Sequence, residues 1–587
     1  MAVASSEVVH RPKRWKLAEL PPRSLIEALP DVHQLKLRLL YNRGFTDPEL
    51  IRRHHEASFE DLHDPFLMPA MSAAVERLAR AATLGELVII YGDFDADGVT
   101  GSAILEHALK AVGVRTRSYI PKRLEEGYGL NAPAVERLAG EGARVIVTID
   151  CGITSVQEIA LAKAIGVDVI VCDHHKLPDE LPPALALLHP GMGAYPFPQL
   201  CAAGVCFKLA QALYVGAGSR ESEVGAMDPA QLTDYAAVGT LADMVPLAGE
   251  NRVLVKHGLE KLRQQPSLGL NAMMELAGIE RARLTCSDVS FTLAPHINAS
   301  GRLDDAGLAF RLLVTDHEGE AADLAERLRA LNEERQRLTR QVLQAAREQV
   351  RAQDPSQLAY VVGGEGWPPG VVGLVAGKLV EETGKPAFVM ELGDELCRGS
   401  ARGVAGFDLV EAMSSCRDLL TRFGGHPRAA GFTLRREAFG DFAHAIVELA
   451  NVTLSKQDLE PVLVIDSELR MRHLNWDIYR VVQEVGPFGM GNPTPTFVIH
   501  GLRPIEARCT PKDHLRMKFR SDDGATMDAF GFGLGHCAKW LADQRRIDVA
   551  FELSSSSFSG FEALELRVRD LREANPLPSP LPQGEGS

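Results

Sequence analysis

At 587 residues the chain is too long for one hydrophobic core; at roughly 150 residues per domain the prior is about four domains. Its 45% hydrophobic and 24% charged composition excludes a fibrous or wholly disordered chain, and no apolar run approaches the ~20 residues of a membrane span. A net charge of −15 opposes non-specific nucleic-acid binding over the whole surface, so any such binding needs a local basic footprint. Nine cysteines with no Cys-x-x-Cys pair speak against a disulfide framework or a zinc site and for a reducing cytoplasm.

In chain order, residues 1–60 read as a helical or flexible segment. Arg11, Lys13, Arg14 and Lys16 have no apolar stretch of a secretory signal beside them and are expected to form a solvated arm. Next come Leu87–Ile90, Arg115–Ile120, Val145–Ile149 and Val167–Cys172, short β-branched runs. Helical patterns at Val99–Val112 and Ser155–Ile165 alternate with them, which predicts a parallel sheet covered on both faces. From Thr315 to Arg351, Leu324, Leu328, Leu331, Leu338, Val342 and Ala345 recur at helical steps, interrupted by Arg335. A helix of ~35 residues would be about 50 Å long, a strut between two domains or a coiled-coil seam. Ala359–Leu449 reads as a second, glycine-rich α/β unit. Val462–Ile465, Thr496–Ile499, Leu515–Phe519, Ile547–Glu552 and Leu564–Val568 suggest a small OB-like β-barrel. The Pro/Gly-rich tail 574–587 is expected to be disordered.

Three predicted strands end in Asp93-Phe94-Asp95-Ala96-Asp97-Gly98, Asp150-Cys151-Gly152 and Asp173-His174-His175. Ligands of an open parallel sheet sit beyond the carboxyl ends of its strands, so Asp93, Asp95, Asp97, Asp150, His174 and His175 should converge on one crevice. That many carboxylates raise one another's pKa unless cations compensate, and Asp/His ligation without Cys suits Mn²⁺ or Mg²⁺. The number of ligands suggests two ions, the usual device for in-line displacement at phosphorus. A calcium loop starting at Asp93 would need Glu at its twelfth position, where Ile104 stands.

With Gly239-Thr240-Leu241-Ala242-Asp243-Met244-Val245-Pro246-Leu247 added, the set DxDxDG, DCG, DHH and GTxADxVPL resembles the DHH phosphoesterase superfamily. Its order and spacing, over roughly residues 60 to 570, resemble the RecJ family of single-strand-specific exonucleases. The resemblance implies an α/β fold with a DHH domain (61–314), a connecting helix (315–352), a DHH-associated domain (353–455) and an OB-like domain (456–573). It implies a two-metal 5′→3′ exonuclease on single-stranded DNA that releases 5′-mononucleotides in repair and recombination. Single-strand-binding protein and a helicase are the implied partners, and no membrane.

For the site, the resemblance makes Asp243 a further metal ligand, Asp150 the bridge between two ions, and His174 a ligand. It sets His175 at the phosphate or leaving oxygen, and Asn298 and Arg302 of Ala294–Leu303 at the scissile phosphate. His296 stands where the family has Arg, which would weaken one phosphate contact or, through titration near neutrality, make it pH-dependent. Pro368 stands where it often has His. Arg123 and Tyr128 read as a phosphate clamp and a base-stacking ring, or as an ordinary ion pair and a core tyrosine. Ser400 and Arg402 of Gly399–Arg402, with His426 of Gly424–Gly431, match the DHH-associated domain and imply a 5′-phosphate pocket. Residues 501–520 carry six basic against two acidic residues, with Arg516 and Lys518 flanking Met517 and Phe519 interleaved, the local footprint the charge demands. The rivals are a short-oligonucleotide or cyclic-dinucleotide phosphodiesterase, and a non-catalytic single-strand-binding scaffold.

Overall fold

The computed structural model describes residues 13–54, 56–122, 126–218, 228–455, 459–558 and 561–574. Lys13–Leu17 is not a solvated arm. Arg14–Leu17 forms strand β1, and Arg11 lies outside the described residues. Trp15 Nε1 donates to Asp570 Oδ2 at 2.7 Å, Lys13 Nζ donates to the Arg569 carbonyl at 3.0 Å, and the Arg572 guanidinium lies 4.1 Å from the Trp15 ring centroid. A basic run alternating with Trp15 and Leu17 can present one face to a partner strand, which a signal-peptide reading does not test.

The first sheet has strands β2 (Leu87–Gly92), β3 (Arg115–Tyr119), β4 (Ala143–Ile149), β5 (Asp168–Cys172) and β6 (Ala186–Leu188). All are parallel, in the order β3-β2-β4-β5-β6. Three-residue β6 escaped the sequence reading because it is too short to show a pattern. Val88, Ile90, Val145 and Val147 pack under the helices Ala96–Ala111 and Ala202–Gly218, while Ile89, Tyr91, Ile146 and Val169 pack against Ala132–Gly140 and Val156–Ala164. Successive strand residues face opposite sides, so both faces are apolar and both are covered.

The helix Glu318–Ala352 joins two bodies. Ala321, Leu324, Ala325 and Leu328 pack into the first core, whereas Val342, Leu343 and Ala346 pack against the helix Pro369–Thr383 and its sheet. Its seam is thus filled within the chain, and Leu331, Leu338 and Ala345 are only half-buried. The second sheet runs β10 (Leu420–His426), β11 (Ala429–Arg435), β9 (Leu396–Arg402), β8 (Ala387–Leu392), β7 (Tyr360–Gly364), with only β7 and β8 parallel.

The third body is a closed barrel of β14 (Phe497–Cys509), β15 (Leu515–Arg520), β16 (Thr526–Gly531), β17 (Ile547–Phe558) and β18 (Phe561–Glu573). Its order is β14-β15-β16-β18-β17, and β17 pairs back with β14. Two expectations need correction here. Val462–Ile465 (β12) is not a barrel strand but pairs in parallel with β1. The fifth strand is β16, which the reading missed because Thr-Met-Asp-Ala-Phe-Gly has too few apolar residues to announce itself. The expected tail lies almost wholly outside the described residues.

Candidate metal centre

The loop after β2 starts the site. Asp93 N–H donates to the Ile149 carbonyl (3.0 Å), which fixes it against β4. Asp95 caps the helix Ala96–Ala111, its Oδ1 accepting from Asp97 N (2.9 Å) and Gly98 N (3.2 Å). Gly98 is required there, because a Cβ would stand 2.6 Å from the Asp93 carbonyl oxygen. Asp97 is buried, and its two oxygens accept from Ala202 N and Ala203 N, both at 2.8 Å, at the start of the helix 202–218. That arrangement anchors a helix and still leaves carboxylate lone pairs directed at the cluster.

Asp150 follows β4 with φ +61°, a left-handed conformation costly for a non-glycine residue and concentrated at functional sites. Its Oδ1 lies 3.1 Å from His174 Nε2 and 3.7 Å from His175 Nδ1. Asp243 caps the helix Thr233–Ala242, with Oδ2 3.6 Å from His174 Nε2. Three sets of donors lie within 4.8 Å of one another: Asp93, Asp95 and Asp150; Asp150, His174 and His175; Asp97, His174 and Asp243. Six predicted ligand and catalytic side chains from three strand ends and Asp243 from a helix end therefore share one crevice.

Burial, then the neighbouring carboxylates, pushes the Asp150 carboxyl well above the usual range, that of Asp97 to about 6 and that of Asp243 to about 8. Burial, followed by the charge of His175, lowers His174 to about 4. His174 therefore stays neutral at physiological pH, and its short distances to three carboxylates are not ion pairs. A buried cluster rich in carboxylates, with a neutral imidazole at its centre, fits divalent cations. Asp150 and His174 each belong to two donor sets, which suits a pair of ions.

His175 differs. Burial works against its charge, but the hydrogen bond from Nδ1 to Asp173 Oδ1 (2.7 Å) and the charges of Asp173, Asp243 and Asp93 raise its pKa. Asp173 is a residue whose role the motif reading missed. It is fully buried and also accepts from the backbone N–H groups of His174, His175 and Ile153, so it sets both imidazoles. His189, after β6, was missed as well; accepting from Gly191 N on Nδ1, it donates from Nε2 to the His175 carbonyl at 2.7 Å. The only sequence signal for it was a His-Pro-Gly turn after a strand too short to detect.

The remaining predicted residues are spread around this centre. The Tyr128 hydroxyl donates to the Asp150 carbonyl (2.9 Å), with its ring edge-on to His175 at 5.7 Å. Asn298 Oδ1 accepts from Ala96 N (2.8 Å), so only its amide N–H groups can face a phosphate. Arg302 reaches the Gly370 carbonyl of the second α/β body at 3.1 Å. His426, from that body, stacks on His175 with ring centroids 6.2 Å apart and planes 14° from parallel. Ser400 and Arg402, alternate residues of β9, converge on Gly373, where a Cβ would stand 3.2 and 3.4 Å from their Oγ and Nη2.

His296 is not a titrating phosphate contact. Nδ1 donates to the Thr292 carbonyl (2.6 Å), Nε2 accepts from Asn332 (3.2 Å), and burial lowers its pKa. Pro368 is the N-cap residue of the helix 369–383. Arg123 lies outside the described residues. On the barrel Arg516 is exposed, whereas Lys518 is 3.7 Å from Asp528 and opposite Glu506. Phe519 does not interleave with them; strand alternation turns it fully into the barrel core. An exposed aromatic of the barrel is Phe532, grouped with Phe530 and His514 under the Arg567 guanidinium at 4.8 Å.

Family models match three segments: the DHH family N-terminal domain at 87–240, the DHHA1 domain at 355–451 and the RecJ OB domain at 465–570. The single-stranded-DNA-specific exonuclease RecJ of Bacillus subtilis is 36% identical over 95% of this chain and 70% of that protein. The crystal structure of RecJ in complex with Mn²⁺ from Thermus thermophilus superposes with a TM-score of 0.81 at 32% identity, covering 96% of this chain and 80% of that one. The Mg²⁺ complex gives 0.76 at 31% identity, covering 96% and 79%.

Proposed function

We propose the function of this chain from one premise: it belongs to the RecJ family of single-stranded-DNA-specific exonucleases. It hydrolyses single-stranded DNA from the 5′ end with two divalent ions, Mn²⁺ or Mg²⁺, releasing 5′-mononucleotides for repair and recombination. The observation that carries this is the convergence of five aspartates and two histidines beside a second body that brings His426 within stacking distance of His175.

Bound divalent ions supply an activated water and neutralise charge developing at phosphorus. The chain does the rest. Asp93, Asp95, Asp97, Asp150, His174 and Asp243 are the proposed ligands, with Asp150 shared. Asp173 holds Nδ1 of His175, so a protonated His175 presents Nε2 to a phosphate or leaving oxygen. Asn298 and Arg302 contact the scissile phosphate, and Tyr128 backs His175. Ser400 and Arg402 receive the 5′-phosphate through a guanidinium and a hydroxyl beside Gly373, and Arg123 completes that pocket.

The barrel holds the rest of the strand. Arg508, Arg516, Phe530 and Arg567 lie on one register row across β14, β15, β16 and β18, mixing cations with an aromatic. Arg516 is the freer of the two predicted contacts; Lys518 binds DNA only in competition with Asp528. Among the described residues no helix is long and apolar enough to cross a membrane. A cytoplasmic setting, with single-strand-binding protein and a helicase as partners, completes the proposal.

Oligonucleotides labelled at the 5′ or the 3′ end, incubated with Mn²⁺, Mg²⁺ or EDTA, test it. The 5′ label should appear first as mononucleotide, and EDTA should stop the reaction. Release of the 3′ label first, or cleavage in EDTA, defeats the reading. Cleavage of dinucleotides with long strands untouched would point to a short-oligonucleotide phosphodiesterase.

A further inference from the structure

The segment leading into the helix Ala294–Leu303 is a π-helical turn, Val289–Leu293, closed by the Ala294 N–H donating to the Val289 carbonyl. Such widened turns are rare and cluster at functional sites. Val289 and Leu293 are fully buried, and the ring between them, Phe291, is 78% exposed. A single exposed apolar residue is ordinary. This one is on a segment tied to the metal centre. Ser290 Oγ donates to the Leu241 carbonyl (3.3 Å), two residues before Asp243. The next residue, Met244, has φ +60° and is 60% exposed. Leu247 N donates to the carbonyl of Met490, another exposed side chain (2.8 Å).

The helix gives these residues a direction. Asn298 and Arg302, four positions apart, share one face of that helix, and Phe291 lies in the widened turn that precedes it. Arg302 reaches the second α/β body at Gly370, three residues from the Ser400–Arg402 pocket at Gly373. Asn298 touches Ala96 at the metal centre. Phe291 lies seven residues before Asn298, at the end of the helix opposite to Arg302. On the far side, Arg283 pairs with Glu562 of β18 at 2.6 Å, so the barrel hairpin that carries Arg567 lies alongside.

We propose that Phe291 is a stacking platform for unpaired bases of the strand between the metal centre and the barrel. This rests on the nuclease reading above. A base in a duplex has its faces covered and its edge paired, so the platform favours single strands.

The test uses the full chain with 5′-phosphorylated oligonucleotides, intact or with one abasic site at each of positions two to five. Affinity is read by fluorescence anisotropy in EDTA, and KM and kcat with Mn²⁺. Phe291→Ala should weaken binding and raise KM by roughly 5- to 150-fold, the range of one lost base–aromatic stack. Phe291→Trp should restore both. In the unsubstituted chain, an abasic site at one position should give the same penalty, and it should add nothing in Phe291→Ala. Unchanged binding in Phe291→Ala, or abasic penalties equal in both proteins, overturns the proposal. So does a change confined to kcat. If the unsubstituted chain cleaves no strand, the nuclease reading fails, while the anisotropy still decides the role of Phe291.

Discussion

Stripping the metal should make stability depend on pH in a direction opposite to that of most acidic proteins. Without ions, Asp97 and Asp243 hold protons up to about 6 and about 8, against 3.8 in the unfolded chain. An acid whose pKa is raised by folding binds more protons folded than unfolded, so stability falls as pH climbs toward the folded value. His174, lowered to about 4, is neutral in the fold throughout pH 6.5–8, but unfolded it titrates near 6.5, so it opposes the fall by about 0.4 kcal/mol at the lower end of this range. His175 is raised, so it loses protons in the same direction as Asp243. Asp243 alone, one proton over 1.5 pH units, accounts for at most about 2 kcal/mol, and Asp150 and His175, both raised, act in the same direction. At 2–4 °C per kcal/mol for a domain of about 250 residues, the melting temperature in EDTA should fall by roughly 4–8 °C between pH 6.5 and 8. Saturating Mn²⁺ should remove that fall, because it binds the deprotonated ligands and protons compete less as pH rises. Calorimetry across this range, with Asp243→Asn as the control whose slope should flatten, checks the reasoning. A metal-free melting temperature that is flat or rising with pH, or a slope unchanged in Asp243→Asn, refutes it.

Asp150→Ala should reduce hydrolysis by more than about 100-fold, since loss of a supporting residue alone costs 10- to 100-fold. Gel-shift affinity for a single strand should change little; near-normal cleavage would show the ligand assignment to be wrong. Arg402→Ala should lower the preference for a 5′-phosphorylated over a 5′-hydroxyl end, and equal loss on both ends would refute the pocket. Lys208 and Glu250 are fully buried and 3.0 Å apart, with Tyr195 also donating to Glu250. Lys208→Met should cost about 3–5 kcal/mol by stranding a buried carboxylate. A melting temperature within about 2 °C of the parent, roughly the value of 1 kcal/mol, would count against that.

Much of the site was legible in the sequence because its information is local. Every ligand group but Asp243 follows a strand whose apolar run is readable, and a parallel sheet brings strand ends to one edge whatever their separation in sequence. That logic gathers Asp93, Asp95, Asp97, Asp150, His174 and His175. Asp243 follows a helix, so no sheet rule predicts it, and it came from the family resemblance.

What the sequence alone could not decide was which partner each remaining side chain meets. His296 has every mark of a titrating contact in sequence, yet Asn332 of the strut helix and the Thr292 carbonyl occupy both its nitrogens. Phe519 stands interleaved with basic residues along the chain, and the strand's pleat turns it inward. The run around Trp15 reads as an arm because its strand partner lies 448 positions away at Val462–Ile465. Such pairings depend on long-range closure, which leaves no periodic signal in either segment. Periodicity and strand-end chemistry are written along the chain, whereas burial and tautomer are properties of neighbours that only folding supplies.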